Sequence, residues 1–117
     1  MDSKDIEEFL NKINEAKKNL PLEETRIKGY ENKTQDILHK FELETLSYHE
    51  KARTARDLAA VRQERRKSKD YVELITPIVV FYNNNKRLFD HMTQLLGELR
   101  KIEKRHITRT YRQRSEE

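Results

Sequence analysis

The chain has 117 residues, 34% of them hydrophobic and 39% charged, with two Gly, two Pro and no Cys. Such a chain is too polar for a thick globular core, and the lack of Cys excludes disulfides and thiolate metal sites. No apolar run approaches the ~18 residues of a membrane span, and the acidic, amphipathic start is unlike a signal peptide, so the expected location is the cytoplasm.

Charge is unevenly spread. Residues 1–50 carry 12 acids and 8 bases, net −4, and residues 51–117 carry 9 acids and 17 bases, net +8. Two arrangements follow from this: the halves pair within the molecule or its oligomer, or the basic half faces an external polyanion.

Ser3 is a candidate N-cap, with Asp5 and Glu7 in the first turn where the helix dipole favours acids. Ile6, Phe9, Leu10, Ile13, Ala16 and Leu20 recur at helical spacing. Pro21 is expected to end this helix and open the next. A second helix is expected over about residues 22–46, with a seam of Ile27, Tyr30, Thr34, Ile37 and Phe41 in steps of 3 and 4. Gly29 weakens it by ~1 kcal/mol relative to Ala and suits a close helix approach. The join to the next helix is open: Ser47 and Glu50 fit a capping box, which argues for a break, yet Tyr48, Ala52 and Ala55 continue the seam without a slip.

Residues 47–76 contain no Gly or Pro and predict the dominant helix, ~45 Å long at 1.5 Å per residue. Its first half packs through Tyr48, Ala52, Ala55, Leu58, Ala59 and Val61. Thr76-Pro77 is read as its stop. Ile78-Val79-Val80-Phe81-Tyr82 lacks a strand partner and predicts a short buried helix, capped by Thr76 with Pro77 first. Asn83-Asn84-Asn85 predicts a turn. A last long helix is expected over about residues 86–106, where Leu88, Met92, Leu95, Leu99, Ile102 and His106 follow steps of 4, 3, 4, 3, 4 and Phe89 and Leu96 broaden the face. The expected organisation is a single all-α domain, residues 1–106, followed by a flexible basic tail, residues 107–117. The fold class is an antiparallel helical bundle of long helices with coiled-coil-like seams, and seams this thin predict a homo-oligomer.

Arg62, Arg65, Arg66 and Lys69 fall within about a 100° arc of one helix face, an arrangement able to follow a phosphate backbone. The competing reading is that acids of the N-terminal helices already answer this face. Leu58, Val61 and Val72 point close to the direction of Arg65, which favours holding Arg65 inside the bundle. A second basic group, Arg100, Lys101, Lys104, Arg105, Arg109, Arg112 and Arg114 around Tyr111, has the make-up of a nucleic-acid-binding arm. Its blander explanation is that bases near a helix C-terminus answer the dipole, which fits residues 100–105 better than the tail.

Metal binding is not expected: Glu103-x-x-His106 is half of a di-metal carboxylate motif, and Asp36-x-x-His39 is its nearest counterpart. No Gly-rich phosphate loop or nucleophile elbow occurs, so neither catalysis nor a cofactor is expected. Arg65-Arg66-Lys67-Ser68 is a weak match to a basic kinase site.

Asp36-Ile37-Leu38-His39, Arg62-x-x-Arg65-Arg66-x-x-Lys69-Asp70, Leu96-Gly97-Glu98-Leu99-Arg100-Lys101 and Arg109-x-Tyr111 together resemble small all-helical proteins of phages and prophages of Gram-positive bacteria. The similarity covers most of the chain from about residue 34. It implies no particular activity, only the roles that small phage proteins take: binding nucleic acid, or binding and blocking a host protein. The reading reached is a non-enzymatic nucleic-acid-associated binding protein. The alternatives are an inhibitor or adaptor of a host defence or nucleic-acid-processing protein, acting as a nucleic-acid mimic through Glu7, Glu8, Glu15, Glu23, Glu24 and Glu31, and a scaffold oligomer.

Overall fold

The computed structural model describes the backbone of residues 1–116 and the side chains of residues 1–109. Three helices carry the chain: α1 (Ser3–Leu43), α2 (Tyr48–Asn84) and α3 (Lys86–Glu116). There is no strand among the described residues, and the fold class is all-α. The helices pack as two compact units, one of residues 16–77 and one of residues 1–15 with the chain from Ile78 onward.

The unit of residues 16–77 is an antiparallel helix pair. Asn19 donates to the Tyr71 hydroxyl at 3.0 Å, and Arg65 to Glu31 at 3.4 Å, so α1 and α2 run in opposite directions. On α2 the residues turned from solvent include Thr54, Leu58, Val61, Arg65, Ser68, Val72 and Ile75, in unbroken steps of 4 and 3. On α1 they include Ala16, Leu20, Glu23, Ile27, Tyr30, Thr34 and Ile37, in the same steps. This is the pattern of a two-stranded coiled-coil hairpin. The expected α1 seam is confirmed except at Phe41, which is exposed. The expected packing of the first half of α2 is partly corrected: Ala52, Leu58 and Val61 are sheltered, but Tyr48, Ala55 and Ala59 are exposed. Thr54, one step off the expected line, is buried instead.

In the other unit the start of α1 runs antiparallel to α3. Ser3 meets Glu103, and Glu7 meets Arg100 at 3.1 Å. Ile6, Ile13, Phe89 and Leu96 are its buried apolar residues. Phe89 is the hub, with ring centroids 6.4 Å from Phe9, 5.9 Å from Phe81 and 5.0 Å from Tyr82.

The helix boundaries correct several expectations. Neither proline ends a helix. Pro21 lies inside α1 and Pro77 inside α2, each forfeiting one ladder bond without breaking the run. Asn19, the natural turn residue before Pro21, is tied to Tyr71, and the sheltered line continues through Leu20 and Glu23. Thr76 is not a cap: its hydroxyl donates to the Val72 carbonyl at 2.6 Å, four residues back. Residues 78–82 are therefore the end of α2 rather than a separate helix, and they are not buried, since Val80 and Phe81 are about half exposed. Asn83 and Asn84 remain helical, and Asn85 breaks the chain alone, without left-handed backbone, while its side chain donates to the Phe81 carbonyl.

The break between α1 and α2 falls at residues 44–47, where the capping box forms: Ser47 Oγ accepts from the Glu50 N–H at 3.2 Å and Glu50 accepts from the Ser47 N–H at 3.3 Å. The cap of α1 is Asp2 rather than Ser3. Asp2 and Asp5 exchange side-chain-to-backbone bonds of 3.1 Å, and the Ser3 hydroxyl is taken up elsewhere. A methyl group at Gly29 would meet nothing within 4 Å, so no close helix approach requires that glycine. Helix α3 begins at Lys86 as expected and continues beyond His106 to Glu116.

Candidate functional site

The line Phe89, Leu96 and Glu103 repeats every seven residues and faces the start of α1. At its far end Glu103 accepts the Ser3 N–H at 2.9 Å and the Ser3 hydroxyl at 2.6 Å. These two bonds, the hydroxyl first, pull the Glu103 carboxyl below its ordinary value of 4.5 against desolvation and the nearby Asp2 charge. A carboxyl with a depressed folded-state pKa contributes stability above its unfolded value and loses it as pH falls through the folded one. Ser3→Ala is therefore expected to flatten the acid limb of the melting-temperature profile below about pH 4.5 and to leave its neutral limb parallel to wild type. Thermal melts followed by circular dichroism at several pH values would check this, and an acid limb as steep as wild type would refute it.

Glu103 is the one acid within residues 101–109. With it turned to Ser3, the opposite side of α3 carries Lys101, Lys104, Arg105 and Arg109, all exposed, around Thr108. These five residues line a shallow depression of about 680 Å³. None of the four cations is ion-paired among the described residues. The tail residues Arg112 and Arg114, also expected as contacts, have side chains outside the described residues.

The expected cluster on α2 divides. Arg65 lies on the seam with its side chain 34% exposed, and its guanidinium sits 3.4 Å from Glu31 of α1. Arg66 points outward and stands 3.9 Å from Asp70, a loose exposed pair of little worth. Arg62 is exposed, Lys69 is half-buried, and neither is ion-paired among the described residues. Arg62 and Arg65 form one wall of a groove of about 460 Å³ whose other residues are Glu31, Thr34, Gln35 and Leu38 of α1. Spacing alone found the cluster but could not find Glu31, which lies 34 positions away.

The acids expected to mimic nucleic acid are partly engaged: Glu7 with Arg100, Glu23 with Arg26 at 2.8 Å, and Glu31 with Arg65. No group of three or more metal-ligating side chains converges among the described residues. No described helix is long and apolar enough to cross a membrane. No family model, curated protein or solved structure matches the chain.

Proposed function

We propose that the chain is a non-enzymatic nucleic-acid-binding protein acting in the cytoplasm. Lys101, Lys104, Arg105 and Arg109 of α3 track phosphates, and Arg112 and Arg114 extend the same basic stretch in sequence. Arg62, Arg66 and Lys69 of α2 offer a second set of cations, and Arg65 serves the helix pair. One observation carries the reading: four exposed cations share a face while the one carboxylate within residues 101–109 is tied to Ser3. Exposed cations cost nothing to desolvate in the free protein and release counterions on meeting a polyanion. The inhibitor reading is the weaker one, because Glu7, Glu23 and Glu31 of its acidic surface already face arginines.

Binding to a fluorescent duplex and to a single strand, titrated with salt, tests the proposal. Four duplex phosphate contacts give a slope of log affinity against log salt of about −3.6, and Lys104→Glu with Arg105→Glu should lower its magnitude by roughly 2. A chain that binds neither form at low salt, or a double variant with an unchanged slope, ends the proposal.

A further inference from the structure

Helix α3 outruns the helix it packs against. Its Glu103 meets Ser3, the first residue of α1, and α3 continues from there to Glu116. Residues 104–116 span about 20 Å at 1.5 Å per residue. Residues 104–109 are all exposed, and at 100° per residue they cover every direction round the helix. Even the apolar Ile107 is 72% exposed. The cations on this end are fanned out rather than stacked in a stripe. Lys104 and Arg109 stand about 140° apart, with Lys101, Arg105 and Thr108 between them and Glu103 on the opposite side. Thr108 is the one short side chain on the face. Its hydroxyl donates to the Lys104 carbonyl at 3.0 Å, which leaves a methyl group and an acceptor oxygen for a ligand.

We infer that this projecting end of α3 enters the major groove of B-form DNA. Lys104 reaches the phosphates of one strand, Arg105 and Arg109 reach those of the other, and Thr108 faces the base edges between them. Resting on the nucleic-acid-binding reading, this narrows the partner to one form of nucleic acid. A bare helix is about 10–12 Å across and the major groove about 12 Å wide. A helix with a neighbour packed at its side is too broad to enter. Phosphates wall the groove on both sides, which a fan of cations answers and a narrow stripe does not. Long side chains at the edges and a short one in the middle let the helix backbone come close to the bases. Duplex RNA fits poorly, because its major groove is deep and too narrow for side chains to read. A single strand is held by stacking successive bases on aromatic rings, and Tyr111 is the only Phe, Tyr or Trp after Phe89.

Dimethyl sulfate footprinting reads both grooves at once, because guanine N7 lies in the major groove and adenine N3 in the minor. With saturating full-length chain on a mixed-sequence duplex, guanine N7 is expected to be protected and adenine N3 is not. At matched salt, duplex DNA is expected to bind at least about tenfold tighter than duplex RNA or a single DNA strand of the same sequence. Thr108→Trp adds bulk at the middle of an exposed face and changes no charge, so it does not threaten the fold. It is expected to lose the guanine N7 protection and most of the duplex-DNA advantage while still binding a single strand. Four results overturn the groove assignment and leave a phosphate-tracking protein: binding without guanine N7 protection, protection of adenine N3 alone, equal or tighter binding of duplex RNA or the single strand, or an unaltered footprint from Thr108→Trp. A chain that binds none of the three forms at low salt overturns the nucleic-acid reading itself, and the groove assignment with it.

Discussion

Replacing Phe89 by Ala is expected to lower the unfolding free energy by about 3–5 kcal/mol, the largest loss of any single substitution to Ala in the chain. The ring is 4% exposed and meets three rings on two segments at once: Phe9 at the start of α1, and Phe81 and Tyr82 at the end of α2, all from the first turn of α3. Removing it takes away the burial of one large side chain and three ring contacts together, and no neighbour is fully buried behind it to fill the space. Phe9 and Phe81 are about half exposed, so the site can relax, which sets the expectation toward the lower end of the range. Against a typical stability of about 5–15 kcal/mol this is a large fraction. The adjacent Leu88→Ala makes the control. It removes a side chain 46% exposed, so it should cost far less than Phe89→Ala. Urea unfolding followed by circular dichroism measures both losses. A Phe89→Ala loss under about 1 kcal/mol would mean that the aromatic cluster does not hold this unit together.

What the sequence made legible was periodicity and the chemistry of helix ends. The lack of Gly and Pro across residues 47–76, the reciprocal Ser47 and Glu50 bonds and the start at Lys86 follow from local rules and appear in the structure. Both prolines lie inside helices for the same reason. A proline disfavours helical geometry at the residue before it by an amount that a long packed line on both sides can outweigh. The α2 seam does not follow the apolar residues alone. Its steps from Thr54 to Ile75 are perfect only when Thr54, Arg65 and Ser68 are admitted. The convergence of Leu58, Val61 and Val72 on the direction of Arg65 was the trace of it.

The cations were countable from sequence, but their surroundings were not. Arg65 and Arg66 differ by one position and by 100° on the helix, which puts one on the seam against Glu31 and leaves the other in solvent. On α3 the deciding feature is the destination of Glu103. Its partner Ser3 lies 100 positions away, so no local pattern announces that the acid is turned from the basic face. Nor does the 4–3 repeat of residues 88–106 reveal that α1 packs on Phe89 and Leu96, off the centre of that repeat. Which line of a doubly apolar helix is used internally is a tertiary fact, set here by the fit of Phe89 among three aromatic rings.

Pro21→Ala is expected to stabilise the chain by about 2 kcal/mol. Proline in a helix interior lies about 3 kcal/mol above Ala, through the lost ladder bond and the clash of the ring with the preceding turn. Opposing this, Ala frees the unfolded chain, which returns about 0.4–1 kcal/mol. Pro21 is exposed, so little burial is lost, and the Pro21 carbonyl that accepts the Thr25 hydroxyl at 3.0 Å is present in either residue. Pro21→Gly restores the same N–H but carries the ~1 kcal/mol penalty of Gly in a helix, so it should fall between the two. That ordering, Ala above Gly above Pro in urea midpoint, isolates the backbone effect from any side-chain contact. A destabilised Pro21→Ala would show instead that the ring sets a local geometry on which the Asn19 to Tyr71 bond and the seam beside it depend.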